Sequence, residues 1–142
     1  MINATLGLGE SLVSGQVIPD QYIVDSASGR ILAQAIGEKA SSLLCNEHGG
    51  GTRLVENDAA TRRLAALSTQ EVDDLVVSAR CILALYDNEP QDIEWAIDDR
   101  LRILQSRPVM SDDSEFSRNT IILLFLLKMY IYNNIDYVIV SS

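Results

Sequence analysis

Positive charge, histidine and cysteine are all scarce in this chain of 142 residues, and each scarcity removes a class of function. Eleven Lys and Arg stand against twenty Asp and Glu, a net charge of −9. A chain so acidic has no electrostatic footprint for nucleic acid. It repels free polyanions in general, so any phosphate it binds must be met by a local cation. The two cysteines, Cys45 and Cys81, lack metal-ligand spacing and stand in apolar company. They read as buried, reduced thiols. His48 is the single histidine. It lies in a loop just ahead of a glycine run and reads as solvated, since a catalytic role needs a fixed base or orienting group.

A membrane segment is also lacking. The stretch from Ile121 to Val140 is strongly apolar, but its clean run is only Ile121 to Leu127, after which Lys128, Asn133, Asn134 and Asp136 intervene. A bilayer span needs about twenty apolar residues, and a charge near its centre costs about 2.5–3.5 kcal/mol. Membrane contact by this tail is therefore not expected. Met1 is not followed by a basic region and an apolar core, so no signal peptide is read and a cytoplasmic location is expected. The length allows one domain at most, large enough to bury a core.

Periodicity and turn residues outline the elements. Residues 2 to 6 suit a strand entering a glycine turn, and Glu10 to Val13 a helical turn ended by Gly15. Tyr22 to Val24 and Ile31 to Ile36 flank a Ser26–Gly29 loop, a hairpin pattern. Lys39 to Leu44 and Arg53 to Val55 are extended runs around Gly49–Gly51, and residues 61 to 67 are weakly helical. Ser68-Thr69-Gln70-Glu71 is a capping box. It introduces one long helix over about residues 69–86, whose Val72, Leu75, Val76, Ala79, Ile82, Leu83 and Tyr86 form an apolar stripe for the core.

The richest stretch follows that helix. Ile93, Trp95 and Ile97 alternate with Asp92, Glu94 and Ala96, the pattern of a half-buried strand. Asp98-Asp99 supplies turn residues and Leu101 to Val109 a second extended run. A four-residue loop, 98 to 101, would set Glu94 opposite Gln105; a two-residue loop would leave them diagonal. Either way Asp92, Glu94, Gln105 and Arg107 share one face, with Ile93, Trp95, Ile97 and Leu104 on the other. A carboxylate and an amide oxygen are hard ligands of the kind Mg²⁺ accepts beside phosphates and water. A guanidinium next to them can neutralise phosphoryl oxygens. A solvated sheet face with an ordinary Glu–Arg pair has the same spacing.

Resemblance separates the two readings. The string Asp92-Ile93-Glu94-Trp95-Ala96, followed by Ile103-Leu104-Gln105-Ser106-Arg107-Pro108-Val109, is similar to the end of the ATP-binding domain of the phosphoenolpyruvate synthase and pyruvate phosphate dikinase family, a domain that rifampicin phosphotransferases share. Gly7-Leu8-Gly9-Glu10, Val13-Ser14-Gly15, Pro19-Asp20 and Tyr22 resemble the family's opening motifs. Gly37-Glu38-Lys39, Gly50-Gly51-Thr52 and Leu67-Ser68 follow in the family's order. The likeness covers roughly residues 2 to 110. It departs at Ile82 to Pro90, where the family's usual Glu is Leu83 and its usual Gly gives way to Asp87-Asn88-Glu89.

The resemblance implies an α+β, ATP-grasp-like fragment with a mostly antiparallel sheet: a partial ATP-binding domain over 1–110, a polar linker over 111–118 and a non-family hydrophobic tail over 119–142. A loose helix over 119–132 and a short strand over 135–140 are expected in the tail, a partner surface or an aggregation hazard. ATP is the implied substrate and Mg²⁺ the implied cofactor. Glu94 and Gln105 would hold the metal, and Arg107 would act catalytically on the transferred phosphoryl group. Gly7, Gly9 and Glu10 would border the nucleotide. Lys39 aligns with a family lysine and is read as an exposed strand residue. The parent reaction is ATP-dependent phosphoryl transfer to a histidine and then to pyruvate, with rifampicin as the rival acceptor. The expected remainder is a preceding lobe, a phosphohistidine domain and a pyruvate domain, so that a separately encoded lobe or phosphohistidine domain is an implied partner. A non-catalytic remnant is the other reading.

Overall fold

The structure, a computed structural model, describes residues 1–13, 15, 17–46, 50–109 and 127–131. His48 lies outside the described residues, as does the strand expected over 135–140. Eight strands and three short or long helical segments alternate in these residues. They are β1 (Ile2–Leu6), α1 (Glu10–Val13), β2 (Asp20–Val24), β3 (Ile31–Ala35), β4 (Ser41–Cys45), β5 (Thr52–Glu56), a 3₁₀ turn (Thr61–Arg63), α2 (Thr69–Leu85), β6 (Gln91–Ile97), β7 (Leu101–Pro108) and β8 (Leu127–Ile131). The class is α+β with mostly antiparallel pairing and one long helix. None of the described helices is long and apolar enough to cross a membrane.

Six strands form one sheet in the order β3-β2-β1-β8-β6-β7, while β4 and β5 make a separate antiparallel arm. β1 is antiparallel to β2, with Ile2 opposite Tyr22, and β8 runs parallel to both β1 and β6. The helix expected over 119–132 is thus corrected where residues 127–131 are described. They are strand, because two neighbouring backbones, β1 and β6, give them hydrogen-bond partners that an isolated tail would lack.

α2 starts where its capping box says it should. Ser68 Oγ accepts from the Glu71 amide at 3.3 Å, and the Ser68 amide donates to Glu71 Oε2 at 2.7 Å. Val72, Leu75, Ala79 and Leu83 pack beneath the sheet on Ile2, Ala4, Tyr22, Ile93, Trp95 and Ile97. Tyr86, read as part of that stripe, is instead 43% exposed as the helix unwinds beside Asp87 and Asn88, both at positive φ. Cys81 is also exposed, against expectation, and Cys45 is half-buried; neither forms a disulfide among the described residues. Position 81 falls between the buried Ala79 and Leu83 and turns outward with the helical phase.

Above the other sheet face, the arm is anchored through Gly7. Its φ is +84°, and it bridges Leu43 of β4 so closely that a Cβ would meet the Leu43 carbonyl at 2.6 Å. Only glycine accepts both demands. Leu8 then packs with Ala96, Leu43 and Cys45.

Lys39 is not the exposed strand lysine that its sequence predicts. Its side chain is fully buried in a loop, bonded to Asp20 at 2.5 Å and to the Gly37 carbonyl at 3.1 Å. A buried ammonium survives only with such complete pairing. Local periodicity could not reveal a partner nineteen positions away.

Candidate functional site

β6 is buried along all seven residues, not on one face only. Its core face meets α2. Its opposite face carries Asp92 (8% exposed) and Glu94 (2%), which would be costly without charge compensation. The strand takes this position because β8 and β7 flank it, leaving no edge open to solvent.

β7 supplies the compensation. The pairing register sets Asp92 opposite Arg107 and Glu94 opposite Gln105. The expected facing of Glu94 and Gln105 therefore holds, but by a different route. Ile97 pairs with Leu101 across a three-residue turn, and an irregularity between Glu94 and Trp95 leaves Leu104 as an extra residue. That bulge restores the alignment that an odd-numbered turn alone would lose. It also turns Leu104 outward, 38% exposed, away from the apolar face assigned to it from alternation. The turn is tied by Arg102, which donates to Asp98 at 2.7 Å and to Asp99 at 3.3 Å. The adjoining Asp99 carboxyl group and the Arg102 guanidinium hold the Asp98 carboxyl well below the usual carboxylate range.

The guanidinium of Arg107 crosses the register diagonally. Nη2 donates to Glu94 Oε1 at 3.1 Å and to Gln105 Oε1 at 2.9 Å. Arg107 is 38% exposed, so the cation bridges a buried carboxylate to solvent. Asp92 Oδ1 is buried without a hydrogen-bond partner among the described residues. An orphaned carboxylate oxygen beside a bridging arginine fits a hard cation or a polar ligand better than a closed structural pair. Among the described residues no cluster of three or more His, Cys, Asp and Glu is present. A metal here would draw on Glu94 and Gln105, with its remaining oxygens from phosphate and water, the usual manner of Mg²⁺.

The structure thus gathers Glu94, Gln105 and Arg107 and adds Asp92, which alternation had put on this face without a role. Further along the sheet, Asn3 (9% exposed) accepts from Gln21 Nε2 at 3.3 Å, and Thr5 is fully buried with an unpartnered hydroxyl. Both positions were read only as strand; their polarity in a run otherwise apolar was the available signal. Leu8, between Gly7 and Gly9, packs on Ala96 at one end of the face, and Glu10 is the exposed first residue of α1.

Over residues 1–122 the chain matches the family described as pyruvate phosphate dikinase, AMP/ATP-binding domain. A probable phosphoenolpyruvate synthase of Archaeoglobus fulgidus is 39% identical over 110 residues, covering 77% of this chain and 14% of that protein. A prodigiosin synthesizing transferase, PigC, of Serratia marcescens is 38% identical over 110 residues, 77% of this chain and 12% of the relative. A rifampicin phosphotransferase of Streptomyces sp is 39% identical over 109 residues, 76% and 12% respectively. The chain spans about one-seventh of the length of the curated relatives it matches.

Proposed function

The chain belongs to the pyruvate phosphate dikinase AMP/ATP-binding domain family, and from that premise we propose that its β6–β7 face binds Mg²⁺ and the phosphates of ATP in a phosphoryl-transfer reaction. The observation that carries this reading is the Arg107 guanidinium bridging Glu94 and Gln105 over buried carboxylates. Glu94 and Gln105 would hold the metal. When bound, Mg²⁺ would neutralise charge between neighbouring phosphates. Arg107, released from one of its present partners, would donate paired hydrogen bonds to the transferred phosphoryl group and stabilise charge spread over its oxygens. The adjoining ATP-grasp-like surface would include the Gly7–Glu10 turn as a border of the nucleotide.

In the parent reaction the phosphoryl group would pass from ATP to a histidine on a mobile domain and then to pyruvate. Rifampicin is the rival acceptor, and the names of the relatives differ in this respect while the matched region is equally similar. The acceptor is therefore chosen outside the β6–β7 face. A second lobe and a phosphohistidine domain, in the same chain or encoded separately, would complete the site, in a cytoplasmic enzyme. A binding half-site without catalysis is the second reading, favoured by the contacts that already occupy Arg107 with Glu94 and Gln105.

Calorimetric titration of ATP, with and without Mg²⁺, tests the proposal on wild-type protein and on the Glu94→Ala/Gln105→Ala variant. The expected result is Mg²⁺-dependent binding that the double variant abolishes. Folded wild-type protein that binds no ATP would overturn it.

A further inference from the structure

The two outer edges of the large sheet, β3 and β7, are unlike each other. β7 is guarded: it carries the bulge at Leu104, the cations Arg102 and Arg107, and Pro108 at its end. Such features keep an edge from pairing with another chain. β3 has little of this. Residues 31–37 hold no charge and no proline, and Leu32 to Ala35 are exposed together with Ile36. No strand among the described residues pairs with the outer side of β3. We propose that this edge is an interaction surface for a second copy of the chain, paired antiparallel about a two-fold axis at Gln34.

Complementarity of the segment with itself carries the inference. An antiparallel pair centred on Gln34 sets each residue opposite the one equally far beyond the centre. Ala33 then meets Ala35 of the second copy, Leu32 meets Ile36, and Arg30 meets Glu38. Directly opposed Cβ atoms lie about 4.5–5.5 Å apart, so the exposed aliphatic side chains pair with one another and each charge meets its opposite. Centring the pair on Ala33 or Ala35 would set Gln34 against an aliphatic residue and leave both charges without a counter-ion. Within one copy Arg30 and Glu38 stand about 26 Å apart along an extended chain, so only a second strand can join them.

The backbone keeps both charged ends in line. Arg30 closes the turn before β3, where its carbonyl accepts from the Asp25 amide at 2.9 Å. Beyond the strand, Gly37 runs so close to the carbonyls of Ile18 and Pro19 that a Cβ would overlap both, and its amide donates to Asp20 at 2.9 Å. Glu38 follows at the surface, with the Arg62 guanidinium 3.9 Å away, a weak exposed pair that a better-placed cation can replace. The one irregularity of β3 leaves Leu32 as an extra residue, since Ile23 pairs with Ala33 and Val24 with Ile31. It falls outside the regular Ala33–Ala35 centre. Because β3 and β7 are opposite edges, pairing through β3 leaves the β6–β7 face open.

Sedimentation equilibrium of the full chain over a range of concentrations should show reversible exchange between monomer and dimer. Arg30→Glu and Glu38→Arg should each weaken the dimer about tenfold, since symmetry turns two attractions into two repulsions. Combining the two substitutions should restore it. In a Cys81→Ser background, which removes the exposed native thiol, Gln34→Cys should give a disulfide-linked dimer on mild oxidation. Opposed Cα atoms about 4.5–5.5 Å apart are within disulfide reach. Ile23→Cys, exposed on β2 one strand in from the edge, should not crosslink. Monomer mass at every concentration up to about 1 mM would overturn the proposal. So would a dimer indifferent to both single charge reversals, or one in which Gln34→Cys crosslinks no faster than Ile23→Cys, because its interface would then lie elsewhere on the molecule.

Discussion

Asp20 and Glu94 are both carboxylates that the fold removes from water and joins to a cation, but their surroundings differ in what they leave open to solvent. Asp20 is closed on every side. Oδ1 accepts from the Gly37 amide at 2.9 Å and from Lys39 Nζ, and Oδ2 from the Ala66 amide at 2.6 Å, with both charged side chains fully buried. The knot ties β2 to the loop before β4 and to the turn that leads into α2. Glu94 has an equally buried carboxylate, yet its cation is more than one-third exposed and shared with Gln105. Burial of the acid is common to both. What differs is whether the cation can exchange its partner for a ligand.

Breaking the Asp20 knot should give the largest effect. Lys39→Met leaves a buried carboxylate without its charge and should cost about 3–5 kcal/mol of folding stability by urea titration. Adding Asp20→Asn should recover part of that loss; full additivity of the two would contradict a paired origin. Glu94→Gln strikes the other side of the comparison. It should lower Mg²⁺-dependent ATP affinity at least about tenfold, roughly 1.4 kcal/mol, while the unfolding midpoint moves less than in Lys39→Met. A Glu94→Gln protein that unfolds as readily as Lys39→Met would make the two pairs alike and remove the distinction.

Smaller effects should follow from the segment that the knot supports. Ser68→Ala removes the α2 cap beside Ala66 and should cost about 1 kcal/mol, read by thermal melting, with ATP affinity unchanged. Acid should give the smallest effect. Hydrogen bonds from Ser28 to Asp25 and from Thr61 to Asp58 hold those exposed turn carboxylates below their ordinary 3.8, as Asp99 and Arg102 do for Asp98. A depressed folded-state value adds stability above the unfolded one. That stability should therefore be present above about pH 4 and fade as pH falls through the folded values. Salt should blunt it, since these groups are solvated. A stability profile flat from pH 5 to 2 would contradict the assignment.

Much of the fold was legible wherever local chemistry decides. The α2 cap, its stripe of Val72, Leu75 and Ala79, the β2–β3 hairpin around Asp25–Gly29 and the polar face of Glu94, Gln105 and Arg107 all follow from spacing and turn residues. The bulge at Leu104 was not legible, because alternation fits a straight strand equally well and only the closing of the three-residue turn requires the extra residue. Cys81 and Tyr86 were misplaced for a related reason. Apolar neighbours mark a helix as buried, but the sheet covers only one side of it, and the chain leaves helical geometry at Asp87.

The sequence by itself determined that Glu94, Gln105 and Arg107 share one strand face and the family to which the chain belongs, since ordered motifs and alternation are properties of neighbours along the chain. Only the tertiary structure decided that Lys39 is a buried strut and not a surface charge, that Arg107 reaches Glu94 across the register, and that a strand from beyond the family match lies between β1 and β6. Each of these is a pairing between distant segments. Its energy depends on desolvation and on the partner's approach, and neither quantity is encoded in any short window of residues.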